Sequence, residues 1–322
     1  MILAGDIGGT HTRLALFDRK KSDSVFSHLQ IFQSQRYPNL ESILQEYLKK
    51  CALKTIDVGC FAVAGPVIEG RCHVTNLPWV VDAKKIEKEL SISNVLILND
   101  LEANAYAIEI LPQQSFSELF PGKKRGGNRA VISPGTGLGE AALYWDGKAY
   151  HPFACEGGHV DFAPRSEMQV ELYRFLLKEY EYVSYERVIS GPGLYNIYRF
   201  FVEKMHRREE VFLKGALDRS VIISEKGVGK ESQLCQEVLD LFVTILAQEI
   251  SNCALKFMAY GGVYLGGGIV PKILPKFQEP FFLESFLNKA DFRSLLEQIP
   301  IYAILDDKAA LHGAAFRAMR EI

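Results

Sequence analysis

The segment LAGDIGGTHTRLALFD, residues 3–18, sets the pattern for the rest of the chain. An apolar run leads into a glycine-rich turn that contains threonine, and a second apolar run ends in aspartate. Short apolar runs divided by glycine are typical of two strands joined at a tight turn. The segment AVISPGTGLGEAALYWD, residues 130–146, has the same layout. We therefore predict an internal repeat, with a strand–glycine turn–strand unit at the start of each half.

A second pair of segments extends the repeat. VLILND, residues 95–100, and GVYLGGG, residues 262–268, are both short apolar runs that end in polar or glycine residues, and each leads toward a helix. Their similarity predicts two related α/β lobes. Helices are expected between the strands: Ser166 and Gln169 have the spacing of a capping box, and an apolar stripe at helical spacing ends before the glycine pair 261–262.

Composition narrows the class of protein. The 322 residues are enough for two lobes of ordinary size, 48% are hydrophobic, and the net charge of −2 favours neither nucleic acid nor an anionic membrane as a partner. No apolar stretch approaches the length of a membrane span. The six cysteines are scattered without a CxxC pair, which favours free thiols in a reducing cytoplasm. We expect a globular cytoplasmic protein.

The two glycine turns predict a phosphate site. Glycines allow backbone N–H groups to approach phosphate oxygens without a Cβ in the way, and threonine adds a hydroxyl. Asp6 precedes the first turn and is placed to hold Mg²⁺ through water. The expected phosphate-binding residues of the two turns are Gly8, Gly9, Thr10 and Thr12, together with Gly135, Thr136 and Gly137.

The chain also resembles a known family. The motifs GDIGGTHTR, LND, GTGLG, EGGHVDF, SGPGL and GGVYLGGGIVP occur in the order found in bacterial glucokinases of the hexokinase/actin/sugar-kinase superfamily. This resemblance spans Asp6 to the final helix. It implies an α/β protein with two ribonuclease-H-like lobes, the actin/hexokinase ATPase fold, around a central cleft. The implied lobes are residues 1–110 plus 301–322, which form the smaller one, and residues 111–300. The family also implies a homodimer.

The resemblance assigns roles to individual residues. Asp100 matches the catalytic base, and Gly266 and Gly267 lie in the segment that receives adenosine. The residues that match sugar-hydroxyl ligands are Asn99, Asp100, Glu156, His159 and Glu186. Their residue types suit a neutral sugar, because each hydroxyl both donates and accepts a hydrogen bond. For Asp100 a helix N-cap is the alternative, since aspartate is a favoured cap.

The implied activity is transfer of the γ-phosphoryl group of MgATP to the 6-hydroxyl of glucose, at the entry to glycolysis. Three other functions remain open on the sequence. The first is a kinase for another neutral hexose, such as mannose or an N-acetylhexosamine. The second is a non-catalytic sugar-binding regulator of the related repressor and kinase family. The third is an actin-like or chaperone-like ATPase. A donor other than ATP, such as polyphosphate, also remains open.

Overall fold

The computed structural model describes residues 1–18, 26–52 and 55–321. The chain forms two compact units, Met1–Ser115 with Asp306–Ile322, and Phe116–Leu305. The strands are β1 (Ile2–Ile7), β2 (His11–Phe17), β3 (Phe26–Gln33), β4 (Val58–Val63), β5 (Val67–Ile68), β6 (Arg71–His73), β7 (Val80–Asp82), β8 (Val95–Asn99), β9 (Phe116–Phe120), β10 (Arg129–Pro134), β11 (Leu138–Trp145), β12 (Tyr150–Cys155), β13 (Val263–Leu265) and β14 (Ile301–Ile304). The α-helices are α1 (Leu40–Cys51), α2 (Ala83–Leu90), α3 (Asp100–Ala107), α4 (Glu167–Leu176), α5 (Gly191–Arg199), α6 (Arg219–Val228), α7 (Gln233–Lys256), α8 (Pro280–Leu287), α9 (Arg293–Leu296) and α10 (Ala309–Met319).

The first unit is built on a five-stranded sheet with the order β3-β2-β1-β4-β8. The first three strands are antiparallel, while β1, β4 and β8 run parallel. Because side chains alternate along a strand, β1 faces two separate cores. Leu3 and Ile7 pack in the core that includes α1 and α2, and Ile2 and Ala4 pack in the core that includes α10. A small sheet of β5, β6 and β7 completes this unit.

The second unit repeats this arrangement. Its sheet has the order β12-β11-β10-β13-β14-β9, so β10, β11 and β12 correspond to β1, β2 and β3. The strand β9 is an addition that pairs antiparallel with β14 at the far edge. The predicted repeat of the strand–glycine turn–strand unit is therefore confirmed. The mixed α/β class with two ribonuclease-H-like sheets is confirmed as well.

The predicted correspondence between residues 95–100 and residues 262–268 is wrong by one strand. In the sheet orders, β13 lies beside β10, which is the place that β4 holds beside β1. The counterpart of β8 is β14. The strands in question, β4, β8, β13 and β14, are all short and apolar. Hydrophobic periodicity does not distinguish their places in a sheet. The pairing of β14 with β13 and β9 also places residues 301–304 in the second unit, rather than in the smaller lobe.

The helix α4 begins at the predicted cap, where Ser166 accepts a hydrogen bond from the Gln169 N–H at 3.3 Å. The Gln169 side chain accepts from the backbone N–H of Arg165 at 2.7 Å, one residue before the cap.

Within the described residues, α7 is long and apolar enough to cross a membrane, which corrects the expectation that no segment approaches this length. Because 78% of its most apolar window is buried, α7 is the core helix of the second unit.

Candidate active site

The first glycine turn joins β1 to β2. The Gly8 N–H donates to the His11 carbonyl at 2.9 Å, and Thr10 at the tip is exposed. A Cβ at Gly9 would lie 3.3 Å from both the Thr75 carbonyl oxygen and the Asn76 Cβ. This distance is tighter than ordinary packing, so glycine at this position allows the turn to approach the neighbouring chain segment.

Thr12 supports this turn from inside the protein. Its side chain is fully buried, and its Oγ1 lies 3.0 Å from Ser34 Oγ, which donates to the Gly8 carbonyl at 2.8 Å. A buried hydroxyl that already has a protein partner does not face a ligand. The expectation that Thr12 contacts the nucleotide is therefore replaced by a supporting role.

Asp6 is held by an ion-pair network in the first unit. Arg13 lies opposite Asp6 in the β1–β2 register, with Nη1 3.1 Å from Asp6 Oδ2 and Nη2 3.4 Å from Asp307 Oδ2. Burial raises the pKa of Asp6 above its ordinary value, and the Arg13 charge opposes that shift. The Asp6 side chain remains 20% exposed. A single partly exposed carboxylate suits Mg²⁺, which usually keeps several waters and binds through one or two carboxylates.

Asn99 ends strand β8 and Asp100 follows it directly, and the structure gives the two residues different tasks. Asn99 is the N-cap of α3: its Oδ1 accepts from the N–H groups of Leu101 at 2.9 Å and Glu102 at 3.4 Å. Its Nδ2 donates to the Gly65 carbonyl at 3.1 Å. Asp100 is the first residue of the helix and is partly exposed. Its Oδ1 also accepts from the Leu101 N–H at 2.9 Å. Because the N-cap position belongs to Asn99, the alternative prediction of Asp100 as the N-cap is wrong.

The second unit brings His159 and Glu186 together. His159 ends a short 3₁₀ turn, Gly157–His159, and its Nε2 lies 4.0 Å from Glu186 Oε2. The same Glu186 oxygen accepts from the Leu138 N–H at 3.0 Å, immediately after the second glycine turn. A Cβ at Gly137 would lie 2.5 Å from Glu186 Oε2, so this glycine makes room for the carboxylate. Glu156 is exposed just before the 3₁₀ turn.

A cavity of about 580 Å³ opens beside the second glycine turn. Gly135 and Thr136 line it, as do Gly268 and Lys272. Gly137 does not line it. Gly266 and Gly267 lie behind the lining: a Cβ at either would overlap the strand end at Ser133 and Pro134. These two glycines therefore allow their chain segment to pack against the start of the second glycine turn. Their neighbour Gly268 lines the cavity.

Several cavity residues were not predicted from the sequence. Arg219 is one of them, and its guanidinium carbon lies 4.5 Å from the centre of the Tyr195 ring. Gly191, whose N–H donates to the Gly135 carbonyl at 2.8 Å, lies in the quoted motif SGPGL, which could have indicated it. Residues 216–221 also line the cavity, and they carry no motif.

The duplicated sheets with their two glycine turns, together with the comparisons that follow, identify an ATP-dependent hexose kinase of the actin/hexokinase fold, a transferase. The family profile described as Glucokinase matches residues 3–321. The chain is 36% identical over 338 residues to the glucokinase of Nostoc punctiforme, with 99% of each chain covered. The chain belongs to the glucokinase family.

Solved structures give the same result. The glucokinase from an Antarctic psychrotroph superimposes with a TM-score of 0.85 at 30% identity, over 99% of this chain and 98% of that one. The glucokinase of Balamuthia mandrillaris, solved in complex with glucose, has a TM-score of 0.81 at 20% identity, over 99% and 93% of the two chains. The second likeness shows the shared fold.

Proposed function

We propose that the protein transfers the γ-phosphoryl group of MgATP to the 6-hydroxyl of glucose, at the entry to glycolysis. The observation that carries this proposal is the position of Glu186. Its Oε2 accepts from the Leu138 N–H beside the second glycine turn and lies 4.0 Å from His159 Nε2. Hydroxyl-binding groups and a phosphate-binding turn therefore adjoin each other within one unit. Membership of the glucokinase family supports the choice of sugar.

The acceptor side of the proposed mechanism uses side chains with complementary hydrogen bonding. Carboxylates of Glu156 and Glu186 accept bonds from sugar hydroxyls, and His159 both donates and accepts. The Asn99 Nδ2 donates through the hydrogen that its bond to the Gly65 carbonyl does not use. Asp100 takes the proton of the attacking 6-hydroxyl as the loose transition state develops, which is the role of the aspartate in other kinases. None of these side chains is cationic when His159 is neutral, so the set suits an uncharged sugar.

The donor side consists of backbone N–H groups, two threonine hydroxyls and one carboxylate. The N–H groups of Gly8, Gly9 and Gly135 and the hydroxyls of Thr10 and Thr136 bind phosphate oxygens, and the cavity beside Gly268 receives the adenosine. Asp6 would hold Mg²⁺ through water, and Arg13 fixes the orientation of the Asp6 carboxylate. The chemistry that Mg²⁺ would supply there is neutralisation of charge on the donor phosphates.

A panel of acceptors and donors tests the substrates. With purified protein, we expect the highest kcat/KM for glucose among glucose, mannose and N-acetylglucosamine, with ATP as donor and Mg²⁺ present. The measurement is coupled detection of ADP, with polyphosphate tested separately by sugar-phosphate formation. A higher kcat/KM for another hexose, or for polyphosphate as donor, would replace the corresponding part of the proposal. Sugar binding without turnover would favour the regulator.

We also propose that the protein acts as a cytoplasmic homodimer, on the strength of the family resemblance and of its six free thiols. Sedimentation equilibrium distinguishes the 36.2 kDa chain from a dimer.

Two substitutions separate the sugar-binding and capping tasks of Asn99. Asn99→Ala removes both, while Asn99→Ser keeps a good cap. We expect both variants to raise the KM for glucose more than they lower kcat, because a sugar contact is present in ground and transition states alike. Only the alanine variant should lose stability, by about 1 kcal/mol in urea unfolding. A normal KM in Asn99→Ser would leave Asn99 as a cap alone.

A further inference from the structure

Two carboxylates are buried in the second unit beneath the proposed sugar site. Glu140 on β11 is 2% exposed, and Glu249 on α7 is fully buried. Cys253 lies between them, with its Sγ 3.3 Å from Glu140 Oε2 and 3.5 Å from Glu249 Oε1. Neither carboxylate takes part in the mechanism proposed above. Burial of two such groups is costly unless each is neutralised or hydrogen-bonded.

Glu140 touches the first sugar-binding segment. A Cβ at Gly157 would overlap Glu140 Oε2, so the backbone of the Gly157–His159 turn packs directly on this carboxylate. Glu140 also contacts the end of β12, just before this turn. Cys155 lies opposite Glu140 in the β11–β12 register, and its thiol donates to the Glu140 carbonyl at 3.4 Å. The protonation state of the Glu140 carboxyl group is therefore expected to affect the position of the segment that presents Glu156 and His159.

Glu249 connects to the second sugar-binding segment. The Asn252 amide donates to Glu249 Oε2 at 2.7 Å and to the Tyr185 hydroxyl at 3.0 Å. Tyr185 begins the 3₁₀ turn Tyr185–Arg187, which presents Glu186. The cluster of Glu140, Cys253, Glu249 and Asn252 thus joins the two turns that carry the proposed sugar ligands.

The charges of the cluster leave one carboxylate without a counterion. The Lys256 ammonium lies 3.1 Å from Glu249 Oε1 and occupies the cationic position there, so we assign no metal ion to the cluster. Burial, and then the charge of Glu249, raises the pKa of Glu140 to about 7. Burial also raises the pKa of Cys253 well above its ordinary value, so the thiol keeps its proton.

Other ionisable groups near the cluster are Cys155 on β12, Tyr185, and Lys289, whose Nζ donates to Asn252 Oδ1. Glu156 follows Cys155 and contributes a negative charge near that thiol. Within the described part of the chain, Glu140 Oε1 has no hydrogen-bond partner, which also favours the uncharged carboxyl group.

We propose that Glu140 is a positioning residue for the sugar: its protonated form holds the Gly157–His159 turn and, through Cys253, Glu249 and Asn252, the Tyr185–Arg187 turn in the arrangement that binds hexose. This inference rests on the proposed function. Loss of the proton places two like charges side by side in the interior, and the turns packed on them move. Sugar affinity is then greatest below the pKa of Glu140 and falls as the pH rises through it.

The glucose KM measured from pH 5.5 to pH 9 tests the inference. If sugar binding raises the pKa of Glu140 by one unit, the KM rises about tenfold across neutral pH and then levels off. Glu140→Gln, which resembles the protonated acid in shape and charge, should remove this rise. Glu118→Gln changes a carboxylate on β9 of the same sheet and should keep the profile of the unmodified protein.

An unchanged KM profile in Glu140→Gln would assign the pH dependence to another group and would overturn the inference. Proton uptake provides a second test on the unmodified protein, in case the variant does not fold. Calorimetry of glucose binding near pH 7, in buffers of different ionisation enthalpy, should show net uptake of a fraction of a proton. Binding without uptake would also overturn it. Failure of the proposed function is distinguishable, because glucose would then produce no ADP at any pH.

Discussion

Replacing Asp100 by asparagine is expected to lower kcat by at least about a hundredfold, because a general base contributes roughly 10²–10⁴ in rate. At 1.36 kcal/mol per decade, this corresponds to about 3–5 kcal/mol of transition-state stabilisation. Asparagine keeps the shape of the side chain and much of its hydrogen bonding but does not accept the proton of the 6-hydroxyl. Glucose binding, measured directly by calorimetry, should weaken much less than turnover.

This substitution should disturb α3 little, because Asn99 remains the N-cap and asparagine at position 100 keeps an oxygen that accepts from the Leu101 N–H. Loss of a negative charge in the first turn of a helix costs only about 0.3–1 kcal/mol. Glu102→Gln is the matched control, since Glu102 is the other acidic residue of that turn. We expect it to retain turnover. Near-normal kcat in Asp100→Asn, alongside a normal control, would leave the protein without its proposed base.

Replacing Gly313 by alanine is expected to destabilise the first unit. A Cβ at this position of α10 would overlap the backbone carbonyl of Ala103 in α3, and a backbone atom cannot turn aside as a side chain can. Overpacking of this kind costs about 1–3 kcal/mol or more, while the better helix propensity of alanine returns roughly 1 kcal/mol. Because the overlap is with backbone, we expect the net change to be unfavourable.

Function should suffer together with stability in Gly313→Ala, because α3 begins with Asp100 and shifts if α10 is pushed away. Urea unfolding and kcat measure the two effects. Gly126→Ala is the control: a Cβ there meets only the Trp145 side chain, at 3.4 Å. We expect that variant to be close to neutral. Unchanged stability in Gly313→Ala would mean that the two helices separate at little cost.

The sequence predicted the parts of the fold that depend on local pattern. The two hairpins with their glycine turns, the α4 cap and the core helix α7 all carry signals within a few residues of each other. The order of β4, β8, β13 and β14 carries no such signal, since each is a short buried run. The sequence also did not show that Asn99 caps α3 in place of Asp100, because asparagine and aspartate cap helices almost equally well.

Contacts between distant residues were beyond the reach of sequence patterns. Arg13 and Asp307 are 294 positions apart, and Cys253 is 113 positions from Glu140. No sequence pattern predicted that Glu140 is buried under the proposed sugar site. Thr12 lies in β2 with its side chain buried, and its closeness to the glycine-rich turn in the sequence does not reveal this.

The return of the chain to the first unit at Asp306 has a consequence for synthesis on the ribosome. The face of β1 that carries Ile2 and Ala4 is covered by α10, which is synthesised after the whole of the second unit. Ser115 and Asp306 enclose about 190 residues, and at roughly 5–20 residues per second their translation takes about 10–40 s. Throughout that interval the nascent first unit exposes an apolar sheet face. The helix that bears Asp100 therefore gains its packing partner only after the second unit has been synthesised.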